Sequence, residues 1–214
     1  ITGEKLDSRL VEIARKKEIE YYRQMNVYTK VSRALALEKS GKSPIKVMWV
    51  DHNKGTKEKP EIRSRLVAKE IKTSYRPELF AATPPLEALK LLLSFAASSQ
   101  GENRCIMHND VSRAYFHAPA VRNVFVEIVD EDREEGDEAK CGWLNVSMYG
   151  TRDAASNWES KYQSVLKGLG FVMGKSNPCV FLHKEKDIRT VVHGDDFTSE
   201  GDIVSLKWMQ RGLE

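Results

Sequence analysis

The stretch Ile188–Thr198, IRTVVHGDDFT, limits what this chain can fold into more than any other. Ile188, Val191 and Val192 form a short β-prone run, His193 and Gly194 interrupt it, Asp195 and Asp196 follow, and Phe197 and Thr198 resume it. Such a run predicts a tight hairpin with two carboxylates at its tip, since glycine supplies the positive φ that a two-residue hairpin turn demands. A lone Gly-Asp-Asp is ordinarily a solvated turn. A distant acid changes its weight: Asp110, in MHNDVSRAYF, closes another short apolar run, with strand character before it and turn or helix after it. Carboxylates gathered at strand ends repel one another and need a cation, and Mg²⁺ prefers such oxygen ligands.

Competing chemistries find little support. Neither a Walker-type phosphate loop nor a GxGxxG turn occurs. Cys105 with His108, and Cys179 with His183, offer fragments of zinc-ligand spacing that no second pair completes. The five histidines lack a Ser or Cys partner in recognisable context, so no hydrolytic triad emerges. Three well-separated cysteines, Cys105, Cys141 and Cys179, point to free thiols in a reducing compartment. With 214 residues, 41% hydrophobic and 30% charged, the chain fits one large domain or two small subdomains. No apolar run is long enough to span a bilayer, and the opening ITGEKLDSRL lacks both a signal-peptide pattern and an initiating Met, as expected of a segment of a longer polypeptide.

Charge is unevenly spread. Residues 1–75 carry 18 Lys and Arg against 10 Asp and Glu, and residues 76–214 carry 16 against 21. A basic first third followed by an acidic remainder suits a protein that grips a polyanion with one part and metal ions with the other. For the charges of residues 9–23 an ordinary solvated helix face is the simpler account.

In chain order, residues 8–24 predict a helix packed through Leu10, Ala14, Tyr21 and Met25, and turn chemistry at Lys39–Pro44 ends the region. Val47–Val50 and Arg63–Lys69 predict two strands joined by a polar loop, a β-flap lined by Lys54, Lys57, Arg63, Arg65 and Lys69. That face is equally a wet strand surface or one aimed at phosphates. Thr83-Pro84-Pro85 predicts a helix start, with Thr83 as N-cap and proline in the first turn, and Leu86–Ala97, apolar on nearly every side, predicts a buried helix ended by Ser98–Gly101. Cys105–Asn109 predicts the strand that delivers Asp110, and a short helical stretch follows to Phe116. Val124–Val129 reads as a strand, DEDREEGDEAK as a solvated acidic loop, and Trp143–Met148 as another strand. Trp158, Tyr162, Val165, Leu166 and Leu169 make one helical stripe stopped by Gly170, with its aromatics assigned to the core. Val180–His183 and the hairpin add strands, and Asp202 caps a last helix containing Ile203, Leu206 and Met209.

Asp110 and Asp195 lie 85 residues apart, on strands that must be sheet neighbours if they act together. Neighbours could hold two Mg²⁺ roughly 3.5–4 Å apart, as in two-metal phosphoryl transfer. One ion would activate a hydroxyl and the other would neutralise a triphosphate. Strict alternation points Asp196 away from Asp195 and ranks it the weaker ligand.

The blocks RSRLVAKE (63–70), NDVSRAYFHAP (109–119), SMYGTRDAASNW (147–158), SNPCVF (176–181) and HGDD (193–196) occur in the order found in the reverse transcriptase domain of copia-type retrotransposon Pol polyproteins, which the chain resembles from about Lys46 to Leu213. The resemblance implies an α+β fold: a reverse-transcriptase-like palm, an antiparallel sheet backed by helices, with a β-rich fingers subdomain. It places a helical lead-in at 1–45 and fingers and palm at 46–214, with fingers about 46–105 and part of 120–160, and palm about 106–119 and 160–214. The chain stops 18 residues after Asp196, so the thumb would be truncated. The implied activity is RNA-directed DNA polymerase, with Asp110, Asp195 and Asp196 catalytic and the metal site formed by those carboxylates and the Val111 carbonyl. Two Mg²⁺, replaceable by Mn²⁺, are the implied cofactors. Arg65, Lys69, Val111, Arg113, Ala114, Tyr115 and Asp153 would line the nucleotide site, with Tyr115 blocking a ribose 2′-OH. Implied partners are an RNA or DNA template with its primer, dNTPs, and the ribonuclease H and integrase of the same polyprotein; implied locations are cytoplasmic virus-like particles and the nucleus, with no membrane. His193-Gly194 stands where the family usually has Tyr and an apolar residue, and Asp153 and Ala155 stand where it usually has Gln and Pro. These departures motivate the alternative of a decayed or repurposed domain that binds nucleic acid without catalysis.

Overall fold

The computed structural model describes residues 6–71, 76, 79–98 and 103–214 and resolves into two units. Unit 1 comprises residues 1–75 and 115–157; unit 2 comprises 76–114 and 158–214.

Unit 1 begins with α1 (Ser8–Gln24), whose Asp7 N-cap accepts from the Arg9 and Leu10 amides. The helix spans the predicted residues but is turned relative to the expected stripe: Glu18, Ile19 and Tyr22 are its buried residues. The Tyr22 hydroxyl, donating to the Leu66 carbonyl at 3.0 Å, fixes that rotation. Next come β1 (Tyr28–Ser32) and α2 (Arg33–Ser40), closed by Gly41 in the left-handed region. Neither element carries a periodic signal long enough to read from five and eight residues. The flap is present as β2 (Val47–Asn53) paired antiparallel with β3 (Ile62–Ala68). Ser64, Leu66 and Ala68 face inward, which leaves Arg63, Arg65 and Val67 on the other face beside the exposed Met48 and Val50. A second sheet of unit 1 runs β1-β6-β5, with β5 at Phe125–Val126 and β6 at Lys140–Leu144. The expected strand Trp143–Met148 therefore lies earlier, because Lys140–Leu144 is the segment in register with β1. Tyr22, Val27, Leu66, Ala68, Phe116, Val126, Leu144 and Met148 close the core.

The acidic loop is not solvated throughout. Asp132 and Asp137 are buried, a 3-10 turn spans Asp130–Asp132, and partners roughly a hundred residues away satisfy both carboxylates. Asp132 accepts from Arg23 at 2.7 Å and from the Tyr28 hydroxyl, while Asp137 accepts from Lys30 at 2.6 Å and Lys140 at 3.0 Å. Arg15 adds Asp51 and Glu131, and Arg33 adds Glu127. Part of the basic first third is thus matched internally rather than held for a polyanion.

Unit 2 is built on a five-stranded antiparallel sheet, β4-β10-β9-β8-β7: β4 (Arg104–Asp110), β10 (Asp196–Asp202), β9 (Ile188–His193), β8 (Val180–His183) and β7 (Val172–Met173). On one face, Trp158 and Tyr162 of α4 (Ala154–Gly168) pack edge-on against Phe197, Leu166 is fully buried, and Met209 of α5 (Ile203–Leu213) sits beside Thr190 and Ser199. On the other face, Arg189 lies over the Phe95 ring of α3 (Leu86–Ser98) at 4.8 Å. Two expectations about α3 fail. It starts at Leu86, so the prolines precede it and Pro85 accepts from the Ala88 amide. It is also not buried all round: Leu92 is its buried residue, while Leu86 and Leu91 remain 60% and 58% exposed, because the sheet covers a single stripe of the helix. Of the expected helix stop, residues 99–101 lie outside the described residues. Glu200, fully buried in mid-sheet, accepts from Arg104 at 2.6 Å and Arg189 at 2.9 Å, and Asp187 closes the network. The three cysteines are free thiols, and among the described residues no helix is long and apolar enough to cross a membrane.

The ion pairs of unit 1 set an acid limit. Lys30 and then Lys140 hold the Asp137 carboxyl well below the usual carboxylate range. Burial pushes Asp51 up, but Arg15 and the Ser64 hydroxyl outweigh it and leave its pKa lowered. A depressed carboxyl stabilises the fold above its unfolded pKa of about 4 and loses that contribution as pH falls through its folded value. The thermal midpoint should therefore stay level from neutral pH to about 5, fall once pH drops below about 4, and fall less steeply in Asp137→Asn; near-ultraviolet circular dichroism against pH reads this.

Candidate nucleotidyl-transfer site

The sheet of unit 2 ends in the acids that the sequence singled out. β9 and β10 form a two-residue hairpin in which His193 pairs with Asp196 across Gly194 and Asp195. Gly194 takes φ of 65° and Asp195 is not among the positive-φ residues, the pattern of a type II′ turn. Nothing lies within 4 Å of a Cβ built on Gly194, so glycine is needed there for torsion and not for space. β4 runs antiparallel to β10 with Asp110 directly opposite Asp196, and the ladder continues one step further as the Val111 amide donates to the Asp195 carbonyl at 2.9 Å. Residues paired across a ladder share a face of the sheet, so Asp110 and Asp196 project together, with His108 and Thr198 two residues along.

This register bears on the ranking of the two box aspartates. Alternation within β10 placed Asp196 second, whereas the pairing makes Asp196 the direct neighbour of Asp110 and leaves Asp195 in the turn, where two-residue alternation does not apply. Among the described residues no three His, Cys, Asp or Glu side chains already converge into a metal cluster. The donors nonetheless fit a hard divalent cation: carboxylate and backbone oxygens on adjoining strand ends, with no thiolate among them.

Two contacts hold the hairpin. The Trp158 indole N–H donates to the Gly194 carbonyl at 2.7 Å, and Phe197, next to Asp196, is buried against Trp158 and Tyr162. Sequence reasoning assigned Trp158 to core packing alone; a stripe shows which side chains turn inward but not which carbonyl an indole reaches. Beyond β4, Arg113 adopts φ of 53°, a conformation that disfavours a Cβ, and Ala114 is buried.

The remaining sequence-predicted residues belong to unit 1. Arg65, on the outward face of β3, lies over the Tyr149 ring at 5.2 Å, and the half-buried Tyr115 meets the same ring at 4.9 Å between centroids. Tyr149 was missed as the surface that both share. Its neighbour Gly150 explains the Tyr-Gly pair: φ is 83°, and a Cβ there would stand 2.0 Å from the Ala68 carbonyl oxygen. Lys69 is exposed just past β3. Asp153 is only 4% exposed, accepting from Arg122 at 2.6 Å and Asn157 at 3.2 Å. Arg122 also forks onto Glu70 at 3.0 and 2.9 Å, and Glu70 accepts from the Arg152 amide. Burial raises both carboxyls, but the Arg122 guanidinium outweighs it and holds each below its ordinary pKa.

A family model described as reverse transcriptase (RNA-dependent DNA polymerase) matches residues 26–213. The chain belongs to the reverse transcriptase family. It is also similar to the retrovirus-related Pol polyprotein from transposon TNT 1-94 of Nicotiana tabacum, 27% identical over 149 residues that cover 67% of this chain and 11% of that polyprotein. The resemblance to copia-type retrotransposon polyproteins read from the ordered blocks is borne out, and the chain spans about a tenth of the length of the curated relative it matches. The HGDD hairpin lies within the residues that the family model matches, and its β4 partner carries Asp110.

Removing the indole donor in Trp158→Phe should lower stability by about 1–3 kcal/mol, read as a shift of the urea midpoint at unchanged slope. Gly194→Ala should cost roughly 1–2 kcal/mol through its torsion alone, with Gly194→Asn closer to the parent.

Proposed function

We propose that this reverse transcriptase domain performs template-directed DNA synthesis, with the primer 3′-hydroxyl attacking the α-phosphate of a dNTP and releasing pyrophosphate. The observation that carries the reading is the Asp110–Asp196 pairing at the end of the unit 2 sheet, with Asp195 in the adjoining turn. Asp110, Asp195, Asp196 and the Val111 carbonyl would hold two Mg²⁺, which supply a lowered hydroxyl pKa and charge neutralisation at the phosphates. The chain's own contribution is placement: β4 and β10 fix two carboxylates face to face before any substrate arrives, so little reorganisation remains at the moment of reaction.

In unit 1, Arg65 and Lys69 would meet the triphosphate or the template, and Tyr115 would contact the sugar of the incoming nucleotide. Arg113 and Ala114 follow Asp110 in the connection that leads to Tyr115. Asp153 contributes through Arg122 rather than by direct contact, since its oxygens already serve Arg122 and Asn157. The flap lysines Lys54 and Lys57 stand exposed for phosphates, so template binding should weaken steeply with salt. Template, primer and dNTPs are the proposed partners, with ribonuclease H and integrase supplied by the same polyprotein. Cytoplasmic particles and the nucleus are the proposed locations.

Asp110→Asn or Asp195→Asn, made in the longest polypeptide that carries this chain, should lower Mg²⁺-dependent primer extension at least a hundredfold while leaving salt-sensitive nucleic-acid binding in place. Undiminished extension sinks the assignment, and binding without incorporation in the parent identifies a non-catalytic domain instead.

A further inference from the structure

One side chain beside the acidic pair does work that the family assignment does not account for. His108 sits two residues before Asp110 on β4, directly across from Thr198 and diagonal to Asp196, on the face that carries Asp110 and Asp196. Its two ring nitrogens are both engaged: Nδ1 lies 3.2 Å from the Thr198 hydroxyl and Nε2 lies 3.2 Å from Oδ1 of Asp196. One arrangement of hydrogens satisfies both contacts with a neutral ring. The Thr198 hydroxyl donates to Nδ1 and the Nε2–H donates to the carboxylate. An imidazole held from behind by a hydroxyl and pointing its N–H at a carboxylate is the arrangement that fixes a metal-binding oxygen in orientation.

We propose that His108 is the positioning residue of the acidic pair: held by Thr198, it anchors Oδ1 of Asp196 and so leaves Oδ2 as the oxygen that shares a divalent cation with Asp110. This rests on the reading of Asp110 and Asp196 as cation ligands. The need for such an anchor follows from the register. Two like charges directly opposite on adjacent strands repel, and the easiest relief is for one carboxylate to swing away to solvent; Asp196 is half exposed and has room to do so. A hydrogen bond from His108 opposes that swing at no cost to the strand pairing. The contact joins two neighbouring strands whose ladder runs unbroken from Asp110–Asp196 to Arg104–Asp202, so the anchor inherits the rigidity of the sheet.

The test measures Mn²⁺ binding to the full chain by electron paramagnetic resonance, with Asp110→Asn as the reference that reports whether bound ion depends on the acidic pair. In His108→Leu the ordered-site affinity should fall roughly tenfold. In His108→Gln, whose side-chain amide can donate at similar reach, most of that affinity should return. Thr198→Val should weaken binding in the same direction by a smaller factor, and the thermal midpoints of all three should stay near the parent's because the His108 side chain is exposed and Thr198 is only partly buried. Equal Mn²⁺ affinity in His108→Leu and the parent, with binding still lost in Asp110→Asn, overturns the role of His108 and leaves the acidic site intact. Affinity unchanged in Asp110→Asn as well overturns the acidic-pair reading itself. A tenfold loss in His108→Leu that His108→Gln does not recover assigns the effect to packing and also overturns the proposal.

Discussion

Two aspartates held face to face across adjacent strands are the costly feature on which unit 2 is arranged. Asp110 and Asp196 pair directly, and like charges in that position weaken a sheet. The compensation lies along the same ladder. Seven consecutive residues of β10 match seven of β4, the Val111–Asp195 hydrogen bond carries the pairing past the acids, and the Trp158 indole holds the turn carbonyl. Phe197, between Asp196 and Thr198, faces the opposite side and is buried among aromatic rings. Apolar packing on one face thus supports electrostatic tension on the other, which alternation along a strand allows because neighbouring residues answer to different environments.

Buried charge is handled by one device in both units. Glu200 is taken up by Arg104 and Arg189, Asp132 by Arg23 and Tyr28, and Asp137 by Lys30 and Lys140. Each network joins segments far apart in the chain. Losing one member leaves a buried charge uncompensated, which costs more than the pair contributes in excess of an apolar substitute, so these networks enforce arrangement more than they add stability. The basic surplus of the first third is correspondingly smaller as a phosphate-binding surface than its count suggests. Among the cations of that third that do stand exposed are Lys54 and Lys57 of the flap loop.

Local signals in the sequence carried most of the elements. The α4 stripe, the β2–β3 flap, the Asp202 cap and the two-residue hairpin at Gly194 each depend on residues within one turn or one strand of each other, and each is present. The misses share the opposite property. The rotation of α1 depends on Tyr22 reaching Leu66, the position of β6 depends on its register with β1, and the burial of Asp132 and Asp137 depends on cations from another part of the chain. Only a long-range contact fixes any of these. That Asp196 is the register partner of Asp110 was hidden for the same reason: alternation is a rule about one strand, whereas the neighbour of Asp110 is decided by pairing between two.

Asp153 shows how unit 1 takes a carboxylate out of solvent. An unpaired carboxylate is costly to bury. The fold meets that cost by burying Asp153 against Arg122, itself clasped by Glu70, which lies just past β3 and accepts from the Arg152 amide. The charge of Asp153 is spent inside unit 1, and Arg65, stacked on Tyr149 beside Tyr115, keeps a cation on the outward face. The acid is therefore accommodated as part of the frame that carries Arg152 and the start of α4, and it is held there only because Arg122 comes with it: without that guanidinium, Asp153 and Glu70 would be two neighbouring like charges with no counter-ion.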